Sequence, residues 1–278
     1  MLYILSDGLR FLIFNIVGYR RKVIKENIQL AFPDKLEKEV NHIRNAFCKH
    51  LMDVFIEMVK SITISKKAIR KHFKFTNLEL IAELEKKGQS AIVLGGHYAN
   101  WEWLVQLPLL VNHKGTALYS KIGNPYFNKM MLKSRSRFGS QLIQSNKAYV
   151  AYKQNEREGH LTLNAMISDQ SPMLKRTKYW TDFLGVKVPF FVGAEAIAKK
   201  INHVVLFYDV RKVKRGYYEC EFKMIAENPK DLPDYEVTER YKTLLEQQIK
   251  EAPEYYFWSH KRFKHRDKYQ EWETKYKK

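Results

Sequence analysis

The stretch Ala91–Trp103, AIVLGGHYANWEW, constrains this chain more than any other. The apolar run Ala91–Leu94 reads as a buried strand that stops at Gly95-Gly96, and Tyr98–Leu110 reads as an apolar helix starting right after the glycines. A strand feeding a helix through a glycine turn belongs in an α/β sheet. His97 then falls at the carboxyl end of a strand, where the sites of such sheets gather. Glu102 follows about one helical turn later. A carboxylate there can hold an imidazole by one nitrogen and leave the other free to take a proton. The expectation is therefore a general base, His97, with Glu102 as its orienting carboxylate. The same spacing occurs in pairs that do no chemistry; the polar Asn100 and Glu102 among aromatics favour the catalytic reading. The glycine pair allows a close approach to the backbone, a reactive carbonyl being one candidate.

At 278 residues the chain has enough length for one α/β domain with a sizeable core. Its 49 Lys and Arg against 30 Asp and Glu leave a net charge of +19, which implies a polyanionic partner: nucleic acid, an anionic membrane surface, a phosphorylated substrate or an acidic protein. Cys48 and Cys220, far apart, imply neither a disulfide framework nor a metal site. A zinc site around His97, Glu102 and His113 is discounted, since zinc wants three or four protein ligands and no Cys or paired-His spacing supplies them. No metal and no cofactor are expected.

Met1–Val17 is strongly apolar but carries Asp7, Gly8 and Arg10. It is short of the roughly 20 apolar residues of a spanning helix. A helix lying on a membrane, with Tyr19-Arg20-Arg21-Lys22 at the headgroups, fits these residues, as does a buried amphipathic helix. Residues 1–20 are read as the membrane-associating helix and 21–278 as one domain. Arg21–Lys87 reads as a helical preface. Strands are expected at Thr116–Tyr119, Leu161–Ile167, Val204–Val210 and Tyr217–Phe222, and helices at Pro125–Phe138, Tyr149–Glu158, Ala194–Lys200 and Val237–Glu251. The fold class is α/β: a mixed central sheet flanked by helices, with a helical amino-terminal segment.

Three basic clusters stand out: Lys121 to Arg137, Lys175-Arg176 with Lys178, and a tail from Tyr255 in which Lys261, Arg262, Lys264, Arg266 and Lys268 alternate with aromatics. Cations among aromatics suit single-stranded nucleic acid. They suit a membrane interface equally well.

Several blocks together resemble the acyltransferases that add late, secondary acyl chains to lipid A, within the lysophospholipid-acyltransferase-like superfamily. The family's His-x-x-x-x-Asp/Glu box is matched by His97 and Glu102. The opening segment is matched by Tyr19-Arg20-Arg21, Asn27 and Ala31-Phe32-Pro33, and a middle block by Tyr119, Asn124-Pro125 and Arg135-Ser136-Arg137. Asp169-Gln170, Phe190-Phe191-Val192-Gly193 and the closing Trp258, His260, Lys261, Arg262 and Phe263 complete the series. Two departures stand out: the apolar start is shorter than the family's usual anchor, and the Phe190–Gly193 turn carries an extra residue.

The resemblance implies transfer of a fatty acyl group from acyl carrier protein to a hydroxyl of a lipid A precursor, at the cytoplasmic face of the bacterial inner membrane. It implies that His97 acts as base and Glu102 orients it, without an acyl-enzyme. It also implies that Arg135, or Arg137 as its alternate, meets an oxyanion or a phosphate, and that Asp169 orders Arg135 or the acceptor. Asn100 is placed among the substrate-binding residues. Acyl carrier protein, the acceptor and the anionic membrane surface would account for the charge without nucleic acid. One alternative changes the acceptor to another membrane lipid, a lysophospholipid or an aminolipid hydroxyl. Another is a basic nucleic-acid-binding protein in which His97 and Glu102 are structural.

Overall fold

The computed structural model describes residues 2–277. The chain opens with helices α1 (Leu2–Arg10), α2 (Arg21–Ala31), α3 (Glu37–Lys60) and α4 (Lys66–His72), then strand β1 (Phe73–Phe75) and α5 (Glu79–Lys86). β2 (Ala91–Gly95), β3 (Lys114–Tyr119), α6 (Pro125–Ser136), β4 (Gln141–Gln144), α7 (Ala148–Arg157) and β5 (Thr162–Ile167) follow. A hairpin of β6 (Tyr179–Phe183) and β7 (Val186–Phe190) precedes α8 (Gly193–Ile201), β8 (Val204–Lys214), β9 (Tyr217–Ala226), α9 (Glu236–Glu251) and α10 (Tyr269–Lys275).

Seven strands form one sheet in the order β1-β9-β8-β2-β5-β3-β4, and β6 with β7 forms a separate two-stranded ribbon. β8, β2, β5, β3 and β4 run parallel, whereas β9 and β1 run the other way. The expected mixed sheet with flanking helices and a helical preface is what the chain forms. β2 is buried along its whole length, as is β8 from Val204 to Val210. Continuous apolar runs, not alternation, mark strands covered on both faces.

The predicted strands and helices from Thr116 onward fall within a few residues of those observed, but four strands lie outside the expectation: β1, the polar β4 and the two strands of the β6–β7 ribbon. The ribbon turns at Leu184-Gly185, both at positive φ (52° and 77°). Such a turn normally carries Asn or Gly in its first position. Here Leu184 is buried and donates its N–H to Glu246, so packing stabilises a backbone that the sequence does not announce.

The glycine pair after β2 makes room for side chains, not for a ligand carbonyl. A Cβ on Gly95 would lie 2.2 Å from the Tyr208 ring, and one on Gly96 would lie 2.6 Å from Leu245. The hydroxyls of Tyr241 and Tyr208 donate to the carbonyls of Gly95 and Gly96.

At the amino terminus, α1 runs on through a wider helical turn to Ile16 and bends by 91° into α2. Among the described residues no single helix is long and apolar enough to cross a membrane; this bent pair passes that test only jointly. The polarity of α1 is inverted. Ser6 bonds Asp53 on α3, Tyr3 bonds Glu57, and Asp7 pairs with Arg215 at the β8–β9 turn. Ile4, Leu5, Phe11, Ile16 and Val17 are exposed.

Candidate active site

His97 follows β2 and Asp169 follows β5. These strands are parallel neighbours with Gly95 opposite Ile167, so continuing each by two residues brings His97 level with Asp169. Asp169 accepts twice from His97: its Oδ1 from the ring Nδ1 at 2.6 Å and its Oδ2 from the backbone N–H at 2.9 Å. That fixes the proton on Nδ1 and leaves Nε2 as the free base, without a hydrogen-bond partner among the described residues. Burial alone would raise the Asp169 carboxyl, but these bonds to His97 hold it below its ordinary value. Trp101 meets the His97 ring edge-on at 5.2 Å and Phe257 stacks at 5.5 Å.

The carboxylate that holds His97 is therefore Asp169 and not Glu102. Glu102 instead accepts a two-pronged bond from Arg135, Nε to Oε2 at 2.9 Å and Nη2 to Oε1 at 2.5 Å, and a third from Trp101 Nε1. Burial opposes its charge, but Arg135 outweighs that and lowers its pKa, with the nearby His97 contributing. The reason lies in local backbone. Tyr98–Leu110 does not start an α-helix at once. Ala99 sits at φ +47°, Tyr98 bridges to Tyr256, and Asn100 caps a 3₁₀ segment, Trp101–Leu109, by accepting from Trp103 N–H. Glu102 thus leaves the imidazole and turns toward α6, where Arg135 lies.

Two further expected binding residues bond to the scaffold. Asn100 is fully buried and donates to Glu57 Oε2 at 2.7 Å. Arg137, an exposed residue, donates from Nη1 to the carbonyls of Ser61 and Ile64. Asp169 does not order Arg135. Of the candidates, His97, Glu102, Arg135 and the neighbouring Gln170 line one cavity. His113, considered for zinc, bonds the Gln89 carbonyl, and among the described residues no three His, Cys, Asp or Glu converge on a metal position.

That cavity has a volume of about 980 Å³. From the strand ends it follows the sheet between Val93 of β2, Leu163 and Ala165 of β5, and Gly115 and Ala117 of β3, under Leu104, Leu107 and Pro108. Gly115 is required there, since a Cβ would lie 2.4 Å from Pro108 Cγ. The walls are largely apolar, with polar groups contributed by His97 and Arg135 and by Lys121, Gln144 and Asn146 after β3 and around the end of β4.

The opening and closing sequence blocks meet behind this site. Asn27 on α2 donates to the carbonyls of Trp258 and His260, and Arg20 to that of Ser259. His260 accepts the N–H of Ser171 at Nε2 and is pushed down to about 4 by burial. Arg262 is fully buried between the rings of Phe183 and Phe190, and its charge also favours ionised Asp169. Sequence reasoning missed Phe257 as a wall of the histidine and Glu57 as the anchor of Asn100. Neither stands in a spacing motif.

A histidine with one nitrogen held and the other open, on the wall of a long apolar cavity, is a layout for general-base chemistry on an apolar group. The chain belongs to the bacterial lipid A biosynthesis acyltransferase family, whose model matches residues 2–265. It is 26% identical to the lipid A biosynthesis myristoyltransferase of Escherichia coli (strain K12) over 145 residues, which cover 51% of this chain and 43% of that protein. It has the same identity and coverage with lipid A biosynthesis acyltransferase 1 of Shigella flexneri. The matched stretch thus spans less than half the length of these relatives.

Proposed function

We propose that the chain transfers a fatty acyl group from an acyl carrier protein thioester to a hydroxyl of a lipid A precursor. The observation that carries this is the His97–Asp169 pair, its Nε2 unengaged, beside a 980 Å³ largely apolar cavity in a chain of this family. An alcohol is almost undissociated near neutral pH, so a base must take its proton as it attacks. His97 Nε2 accepts the hydroxyl proton while the oxygen adds to the thioester carbonyl. Asp169 stabilises the imidazolium through Nδ1. Collapse of the tetrahedral adduct breaks the carbon–sulfur bond, and the proton passes from Nε2 to the departing thiolate. No acyl-enzyme is required. Arg135, oriented by Glu102, is positioned to meet the oxyanion or an acceptor phosphate. The acyl chain lies in the cavity, and each buried methylene contributes about 0.8 kcal/mol.

The exposed apolar residues of α1 and the wider turn after it, together with the basic surface, support work at the anionic cytoplasmic face of the inner membrane. The same charge suits the acidic carrier protein. The test is mass spectrometry of lipid after incubation with a carrier protein bearing a saturated acyl chain. One acyl mass added to the lipid A precursor, and lost in His97→Ala, is the expected result. Acylation of lysophospholipid alone would move the acceptor and keep the chemistry.

A further inference from the structure

A second cavity, of about 760 Å³, lies between the β6–β7 ribbon, the start of α9 and α10. Its cations come from two sequence regions: Lys175, Arg176 and Lys178 before the ribbon, and Lys187 on β7. Among the described residues none of these four has a carboxylate within 4.0 Å, unlike Lys277 at the rim, which pairs with Glu273. The nearby acids are already engaged: Glu239 by Tyr179 and Lys242, Asp234 by Lys199. Positive charge is therefore concentrated in a concave site whose lining, among the described residues, holds no acid, although Glu273 lies close enough to Lys187 to feel its charge.

The walls are aromatic. Tyr179 and Tyr235 stack at 4.2 Å with a 14° interplanar angle, and Tyr269 carries the Lys187 ammonium 3.6 Å from its ring centroid. Trp180, also on the wall, keeps its indole N–H buried without an acceptor. Aromatic faces beside lysines that have no carboxylate partner offer stacking for sugar rings and charge for phosphates. An acidic protein helix would need a broad open surface, not a concave pocket of small-ligand size. Arg176 lines this cavity and the catalytic one as well, so the two adjoin.

We propose that this second cavity binds the phosphorylated saccharide headgroup of the acceptor, with Lys178 and Lys187 on phosphate and Tyr179, Tyr235 and Tyr269 against the sugar. Arg176 would sit where the headgroup meets the catalytic groove. The assignment rests on the acceptor reading above for the ligand's identity; the residues themselves fit an anion that carries a ring.

The test is titration of the full chain with a bis-phosphorylated glucosamine disaccharide that carries no acyl chains, followed by calorimetry. The unphosphorylated disaccharide and inorganic pyrophosphate serve as comparisons. The phosphorylated disaccharide should bind at least tenfold more tightly than either comparison, and Lys178→Glu with Lys187→Glu should weaken it at least tenfold. Tyr235→Ala should weaken the disaccharide and leave pyrophosphate unchanged. His97→Ala should bind like wild type. Acylation assays on the precursor should show a raised KM and a near-constant kcat in the lysine variant. Equal binding by wild type and the lysine variant would overturn the proposal. So would loss of binding to phosphatidylglycerol vesicles while disaccharide binding stays intact, since the cavity would then be a membrane contact. If the precursor is never acylated but the disaccharide binds in a lysine-dependent way, the site stands and the acceptor reading falls.

Discussion

Two histidines touch the same loop and do opposite things. His50, on α3, donates from Nε2 to the carbonyl of Ala99 and accepts from Lys212 at Nδ1, so both ring nitrogens are engaged. Burial, with the Lys212 charge adding to it, holds His50 neutral, its pKa well below the ordinary value. Around it Asp53, Glu57, Arg215 and Tyr218 satisfy one another, and none of this cluster borders either cavity. His97, two residues before Ala99, has one nitrogen held by Asp169 and the other open to a cavity. The difference separates scaffold from chemistry: a titratable group with every partner supplied by protein fixes geometry, and one with a lone pair left over can act on something else.

The comparison breaks most readily at the histidines. His97→Ala should lower kcat by about 10³–10⁴-fold with little change in melting temperature, since it removes a partly exposed base that is not a core residue. His50→Ala should do the reverse. Leaving the Ala99 carbonyl without its donor and Lys212 with Asp53 alone costs about 1–3 kcal/mol of stability, and kcat measured below the melting transition should fall by no more than about tenfold. Paired thermal melts and rate assays read both. Equal kcat losses for the two would mean that the loop, not the open nitrogen, limits the reaction.

Asp169→Asn and Glu102→Gln sharpen the same contrast. The first removes the acceptor that fixes the His97 tautomer and should lower kcat by about 10²–10³-fold. The second keeps the shape of the Arg135 contact and should cost only about tenfold, since Glu102 acts on the base at a distance. Steady-state kinetics decide between them. If Glu102→Gln proves as damaging as Asp169→Asn, then Glu102 and not Asp169 orients His97 during turnover.

That pair also marks where the sequence stopped being legible. The strand, the glycines and His97 were readable because an apolar run followed by a glycine stop is local information. Asp169 was visible only as part of a matched block. Its contact with His97 depends on β2 lying next to β5, 72 residues away, and strand order is not written in any local pattern. Glu102 was misassigned for a local reason instead: a positive φ at Ala99 and the Asn100 cap replace the expected α-helical turn with a 3₁₀ segment. The ribbon was hidden because Leu184 occupies a turn position that sequence rules reserve for Asn or Gly.

The scaffold side has its own pH signature. Burial pushes Glu57 up from 4.5 to about 7, against the pull of its bonds from Tyr3 and Tyr218. Between those pH values the folded chain keeps a proton that the unfolded chain has released. The contribution is therefore full below about pH 4.5 and lost as pH rises to about 7, a change of up to about 3 kcal/mol. The buried histidines slope the other way: His203 and His260, pushed down to about 4, lose stability as pH falls below 6.5. Glu57→Gln should remove the first slope and keep the second, read as the difference between the two proteins' denaturation curves from pH 5 to 8. A difference curve that is flat would place Glu57 in its ionised form throughout.

The smallest effects belong to the outer face of α1, where the same helix that pins Tyr3 and Ser6 inward presents Ile4 and Leu5 outward. If that face meets lipid, Ile4→Ser should leave stability within about 0.5 kcal/mol. Partition onto phosphatidylglycerol vesicles should still fall by roughly fivefold, the equivalent of about 1 kcal/mol for a side chain partly buried in the interface. Ser6→Ala on the inner face should have the opposite profile, weakening the hold on Asp53 and leaving partition unchanged. Co-sedimentation and melting curves on the two variants separate the faces. Unchanged sedimentation of Ile4→Ser would leave the basic surface, and not α1, as the membrane contact, and its salt dependence would then be steep.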